Sequence, residues 1–213
     1  IEITENSVRL SLSLLGGQKT GYFLDQKHNR VRVKEITSNL RVLDCFCNQG
    51  GFALNAAIGG AKEVLGIDSS ESAVDSAIHN ASLNNLNNVR FQKADVFEFL
   101  TAEVRNKSRW DCIILDPPSF TKSKKNVATA KKGYAEINRL ALQLLSKGGI
   151  LVSASCSQHI YEETLLGIIQ AEAQKVNIPI RLIHRGGQSP DHPILVGMPE
   201  THYLKFYIFI SGK

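Results

Sequence analysis

What this chain lacks narrows its reading first. No apolar run reaches even half of the roughly 20 residues that cross a bilayer as a helix, so no membrane span and no membrane partner are expected. No basic segment followed by an apolar one opens the chain, so no export signal is expected; the first residue, Ile1 rather than Met, suggests a fragment. No two cysteines stand in a CxxC spacing, which argues against a zinc site, and no metal is expected. Cys45, Cys47, Cys112 and Cys156 read as reduced thiols of a cytoplasmic protein. GxGxxG is missing too, and with it the usual cradle for a dinucleotide. What remains is a chain of 213 residues, 43% hydrophobic and 21% charged, an ordinary globular composition with length enough for one large α/β domain. Its net charge of +5 hints at a polyanionic partner.

Near the start, Val8, Leu10, Leu12 and Leu14 alternate with polar residues, the period of a half-buried strand, and Gly16-Gly17 is expected to turn the chain. Asp25 to Glu35 is charged and reads as a helix. Residues 1–35 are therefore taken as an N-terminal β-hairpin and linker, and 36–213 as the main domain. There, apolar strands alternate with helices. "RVLDCF" is followed by a helix through Ala57, and "EVLGID" by an amphipathic helix with Ala73, Ala77, Ile78 and Ala81 on one face. "VRFQKAD" precedes a helix from about Val96 to Val104, "WDCIILDPPSF" one near Gly133 to Leu145, and "GILVSASC" one from about Tyr161 to Gln174. "IRLIHR" and "YLKFYIFI" close the chain, the last expected to run antiparallel. Such alternation means a parallel sheet covered on both faces. Two irregular stretches stand out: Thr121 to Lys132, with five lysines, and Gly186 to Pro199, rich in Gly and Pro.

In open parallel sheets, ligands sit at the carboxyl ends of the strands. Four of the first five strands carry an acid there: Asp44, Asp68, Asp95 and Asp116. Buried carboxylates need donors, and a nucleoside supplies them. Asp68, 24 residues after Asp44, stands where a carboxylate meets ribose hydroxyls. Asp95, followed by Val96, could accept from an adenine amino group. The loop "DCFCNQGGF" brings Phe46, Asn48, Gly50, Gly51 and Phe52 behind Asp44, and Ser69 follows Asp68. An acid at Asp44 would repel a pyrophosphate but suits the cationic methionine part of S-adenosylmethionine, which becomes the expected cofactor. Taken singly, Asp44 and Asp95 also read as caps of the helices that follow.

"DPPSF", Asp116 to Phe120, is the sharpest signal. Pro117 and Pro118 remove two N–H donors and hold the backbone extended. The carbonyls left over, with the Asp116 carboxylate, make an acceptor edge suited to a base, on which Phe120 could stack; Ser119 lies between. Cys156, among Ser153, Ser155 and Ser157, ends the next strand. The C5 atom of cytosine or uracil is a poor nucleophile, and a thiolate added to C6 makes it a good one. Cys156 is read as that nucleophile and Asp116 as the group that holds or protonates N3. Lys122, Lys124 and Lys125 stand ready for phosphates near a flipped base, and His192 for the substrate side.

"GQKTGYFLDQKHNR", "VLDCFCNQGGF", "DPPSFTKSKK", "SASCSQH" and "DHPILVGMPETHYLK" together resemble the large-subunit rRNA cytosine-5 methyltransferases of the methyltransferase I type, from about Gly16 to the last strand. The resemblance implies a class I S-adenosylmethionine-dependent fold with a seven-stranded Rossmann-like sheet and an RNA substrate, with Cys156 as nucleophile and Asp116 as its partner. It also implies that Gln18, Thr20, Phe23, Asp25 and Arg30 lie near the cofactor and substrate. Family members usually carry an N-terminal PUA domain and a β-rich linking element, of which only the end is expected here. A homodimer is left open. The nearest rival keeps the fold and has the DPPSF edge present a purine amine for direct N-methylation, with Cys156 idle.

Overall fold

The structure, a computed structural model, describes residues 1–12, 22–120 and 126–212. A seven-stranded sheet of strand order β5-β4-β3-β6-β7-β9-β8 carries the fold, and a separate two-stranded sheet pairs β1 with β2. The chain divides into two compact units, Ile1–Val96 with Ser189–His192, and Phe97–Gln188 with Pro193–Lys213.

Unit 1 begins with β1 (Glu2–Glu5) and β2 (Val8–Ser11), antiparallel and turned at Asn6 and Ser7, both of positive φ. Leu14, Gly16, Gly17, Gln18 and Thr20, and with them the turn expected at the glycine pair, lie outside the described residues. A lone hairpin is marginal in water. Here α3 (Glu71–Leu83) and the residue after it support it: Asn80 Oδ1 accepts from the Ser11 N–H at 2.8 Å, and Asn84 both accepts from and donates to the Arg9 backbone. These contacts turn the helix from its expected face. Val74, Ala77, Asn80 and Ala81 are buried, while Ile78 is 50% exposed. The parallel strands of this unit are β3 (Arg41–Cys45), β4 (Glu63–Asp68) and β5 (Val89–Lys93), with α1 (Lys27–Ile36) and α2 (Gly51–Ile58) completing it.

Unit 2 is built on β6 (Trp110–Leu115), whose Cys112, Ile113, Ile114 and Leu115 are fully buried, the continuous apolar run of a strand covered on both faces. It pairs in parallel with β7 (Leu145–Ser155). β9 (Lys205–Ser211) runs antiparallel to both β7 and β8 (Ile180–Gly186), as the last strand was expected to. α4 (Val96–Arg105), α5 (Val127–Leu144) and α6 (Glu162–Lys175) complete it.

One boundary differs from expectation. α5 starts at Val127, six residues before Gly133, because "VATAKK" holds good helix formers and Ala130, Tyr134 and Ile137 form a buried stripe. Gly133 lies inside the helix, where a Cβ would come within 3.2 Å of the Phe120 ring. β7 in turn starts at Leu145, and its ladder with β6 shifts register between Trp110 and Cys112. Gly148, at φ +72, sits within that irregular stretch. No helix among the described residues is long and apolar enough to cross a membrane.

Candidate active site

In unit 1, the turn after β3 bends through three left-handed residues, Phe46, Asn48 and Gly50 (φ 63, 47 and 86°). Such backbone is costly for an aromatic residue and persists only when its surroundings hold it. The Asn48 N–H donates to Asp68 Oδ2 at 2.9 Å, the Cys47 N–H to the Ile67 carbonyl at 3.0 Å, and the Gly50 N–H to the Cys47 carbonyl at 2.8 Å. Phe91 of β5 lies beneath. A Cβ on Gly50 would come within 2.9 Å of its ring, and one on Gly66 within 2.4 Å, so both positions need glycine.

Asp44 is fully buried, and its Oδ2 accepts from the Ala53 N–H of α2 at 2.9 Å. A carboxylate therefore already serves the start of that helix. Negative charge stands where a dinucleotide would bring its pyrophosphate, so the donor set disfavours an anion and suits a cationic group. Asp68 takes backbone N–H bonds on both oxygens, from Asn48 and from Ser70, each at 2.9 Å. These use two of about four acceptor positions of an ionised carboxylate, and a diol could use the others. Asp95 and Ser69 are exposed, and Phe52 and Val96 are buried. The residues fit S-adenosylmethionine better than a pyrophosphate cofactor. Burial, then the Asp44 charge, pushes the Cys45 and Cys47 thiols well up, which keeps them neutral.

Arg30, 2% exposed, grips Glu5 with two nitrogens, Nε to Oε1 at 2.7 Å and Nη2 to Oε2 at 3.0 Å. It also donates to the Phe23 carbonyl and lies 4.3 Å over the Tyr22 ring, whose hydroxyl donates to Glu5 at 3.1 Å. Burial pushes the Tyr22 hydroxyl far above its ordinary range, so the cluster carries one anion and one cation. A Cβ on Gly51 would stand 3.3 Å from Arg30 Cδ, so this cluster braces the start of α2. Glu5, which supplies its negative charge, carried no sequence signal, and β1 itself was not among the expected strands.

Asp25 is buried, and its carbonyl accepts from the Ser189 N–H at 2.8 Å. Next to Ser189, Asp191 pairs with Lys27 at 3.0 Å and with His192 at 3.2 Å. Hydrogen bonds from Ser189, Lys27 and His192 hold the Asp191 carboxyl below the usual carboxylate range. His192 is thus placed in unit 1, beside the segment that contains Asp25.

In unit 2, the DPPSF turn and the tip of β7 are joined by hydroxyls. Ser119 Oγ lies 3.0 Å from Ser157 Oγ, Ser157 Oγ lies 3.1 Å from the Tyr134 hydroxyl, and Ser155 Oγ donates to that hydroxyl at 2.8 Å. Cys156 stands half-buried between Ser155 and Ser157. Burial pushes Tyr134 up to about 12; the serine bonds oppose this, and the charges of Cys156 and Asp116 add to it. Asp116 and Cys156 therefore both lie within electrostatic reach of one phenol. Pro117 is buried and Pro118 exposed. The Phe120 ring is held against Tyr134 (centroids 4.8 Å apart) and Phe97 (6.0 Å). Lys205 Nζ donates to the carbonyls of Ser157 and Tyr203, each at 2.7 Å. Tyr134 and Lys205 escaped the sequence reading, although a lysine at the head of "KFYIFI" was a visible exception in an apolar strand. Lys122, Lys124 and Lys125 lie outside the described residues, while Lys131 and Lys132 are exposed on α5.

A family model for S-adenosylmethionine-dependent methyltransferases matches residues 1–199. The ribosomal RNA large subunit methyltransferase I of Tolumonas auensis is 42% identical over 202 residues, 94% of this chain and 51% of that protein. The protein of the same name from Salmonella paratyphi B is 39% identical over 207 residues, 96% of this chain and 51% of its own length. The chain spans about half the length of the curated relatives it matches. A methyltransferase candidate solved in complex with SAH superposes with a TM-score of 0.89 at 25% identity, over 99% of this chain and 55% of that one. Trm5b from Pyrococcus abyssi superposes at 0.71 with 19% identity, over 100% of this chain and 56% of its own, a likeness of fold alone. With the strand order, the acid-tipped strands and this match in agreement, the chain belongs to the S-adenosylmethionine-dependent methyltransferase family.

Proposed function

We propose that this chain is the methyl-transferring part of an enzyme that forms 5-methylcytosine in large-subunit rRNA, with Cys156 as nucleophile and Asp116 as its partner. The carrying observation is the hydroxyl chain from Ser119 through Ser157 and Tyr134 to Ser155, which ties the DPPSF turn to both neighbours of the thiol. The names of the curated relatives support rRNA as the substrate class.

In this reading Asp44 faces the ammonium of the cofactor, Asp68 its ribose hydroxyls and Asp95 its adenine amine. Phe46, Asn48, Gly50, Gly51, Phe52, Ser69, Val96, Phe23 and Arg30 line or brace that half of the site. S-adenosylmethionine, when bound, supplies an electrophilic methyl group. The other steps belong to the chain and the base. The Cys156 thiolate donates a lone pair to C6, and the C5=C6 pair moves toward C5 while Asp116 holds N3. Once C5 carries the methyl group, its proton leaves to a base. The C–H electrons then reform C5=C6, and the C6–S bond breaks to return the thiolate. Pro117, Pro118, Ser119 and Phe120 position the base, the lysines after them take phosphates, and His192 serves the substrate side.

The test uses the full-length protein, unmodified large-subunit rRNA and labelled S-adenosylmethionine, followed by digestion to nucleosides. Label in 5-methylcytosine that disappears in Cys156→Ser is the expected result. Label in a methylated purine that persists in Cys156→Ser overturns the proposal in favour of direct N-methylation.

A further inference from the structure

Lys205 opens β9, stands opposite Ser155 in the antiparallel ladder and is 4% exposed. An ammonium inside a sheet has lost its water and needs acceptors and a counter-charge. Its acceptors are two neutral carbonyls, of Ser157 and Tyr203. Among the described residues no carboxylate forms an ion pair with it, so the hydrogen-bonding leaves its charge uncompensated. The side chain starts level with residue 155 and ends on the carbonyl of residue 157, and so passes the residue between them.

We propose that Lys205 is the charge partner of Cys156: its ammonium, fixed by two carbonyls beside the tip of β7, holds the sulfur as the thiolate that attacks the base. Lys205 is then a positioning residue acting through the sulfur, and the inference rests on the reading of Cys156 as nucleophile. Two further observations support it. Burial brings the Lys205 ammonium down to about 8 and the Cys156 charge opposes this, so the two groups sense each other and the lysine still carries its charge at neutral pH. Asp116 and Cys156 both act on Tyr134, and a carboxylate within reach of the same phenol disfavours a second negative charge there. Buried Tyr134 stays neutral and offers only a dipole. Lys205 brings a positive charge to the tip of β7.

The experiment is the pH dependence of alkylation of Cys156 by iodoacetamide in the full chain, with the modified site read by peptide mass mapping. Cys45, Cys47 and Cys112 are buried and will lag. Lys205→Met is expected to raise the alkylation midpoint by about one pH unit, which lowers the rate near neutral pH about tenfold. Lys205→Arg, which keeps the charge, should recover most of that rate. A folded Lys205→Met protein alkylated with the wild-type midpoint overturns the proposal. Should that variant fail to fold, Cys156→Ala serves instead, with the Cε shift of isotope-labelled lysine followed against pH. Lys205 should then release its proton at lower pH than in the wild type, and an unchanged titration refutes the pairing. A Cys156→Ser protein that still methylates RNA defeats the nucleophile reading while leaving the alkylation result intact, so the two failures are separable.

Discussion

The two units handle polar groups in opposite ways. In unit 1 the acids are tied to the main chain: Asp44 to the Ala53 N–H, Asp68 to the N–H groups of Asn48 and Ser70. In unit 2 the corresponding layer is side chain on side chain, a run of hydroxyls from Ser119 to Ser155 with a buried lysine beside it. A carboxylate held by backbone N–H groups is fixed in place, which suits recognition of a ligand that does not change charge as it binds. Hydroxyls donate or accept as the moment requires, which suits the proposed reaction, in which a thiolate forms, is consumed and returns. Under the proposed function, the units differ as a binding half differs from a reacting half.

That comparison breaks most sharply at Cys156. Cys156→Ser is expected to lower methyl transfer by on the order of a thousandfold or more while leaving cofactor affinity unchanged, a split that single-turnover kinetics and calorimetry would measure. Next comes the brace of unit 1. Arg30→Met leaves Glu5 buried without its bidentate partner and should cost about 3 to 5 kcal/mol of stability, read from urea denaturation; a loss below 1 kcal/mol would mean the cluster is not what steadies the glycine turn. Asp68→Asn keeps the shape but weakens charge-assisted bonds, and should weaken cofactor binding roughly ten- to a hundredfold with turnover at saturation little changed. An equal fall in turnover would show that unit 1 also takes part in the reaction.

The smallest effect is thermodynamic and lies in unit 2. Lys205 releases its proton near pH 8 in the folded chain but near 10.5 in the unfolded one. Between those values the unfolded state holds more protons, so the stability contributed by this residue rises with pH across the window and is flat below it. Buried thiols and tyrosines common to both proteins titrate in the same window, so the quantity to read is the stability of wild type relative to Lys205→Met, which denaturation at both ends should show rising with pH.

Much of this was legible in the residues alone. Strand–helix alternation and the apolar run of β6 follow from local periodicity, which a sequence states directly, and the antiparallel last strand from the Gly- and Pro-rich stretch that precedes it. Asp44, Asp68, Asp116 and Cys156 were found because each ends a strand, and position along a strand is a local property. The misreadings share a cause. Ile78 was assigned to the core because helical periodicity does not reveal that Asn80 and Asn84 satisfy the edge of β2. Gly133 reads as a helix start in the sequence because its reason for being glycine is the Phe120 ring, which lies outside its own segment.

By itself, then, the sequence determined which elements form, in what order, and which acids and which thiol stand at their ends, since those depend on neighbours along the chain. Only the tertiary structure decided that Glu5 answers Arg30, that Phe91 requires glycine at positions 50 and 66, and that Lys205 reaches past Cys156. Those contacts join residues that the packing of strands, helices and turns brings together from separate parts of the chain. Burial then raises the cost of leaving charge or volume unmatched, and that is what makes them binding on the fold.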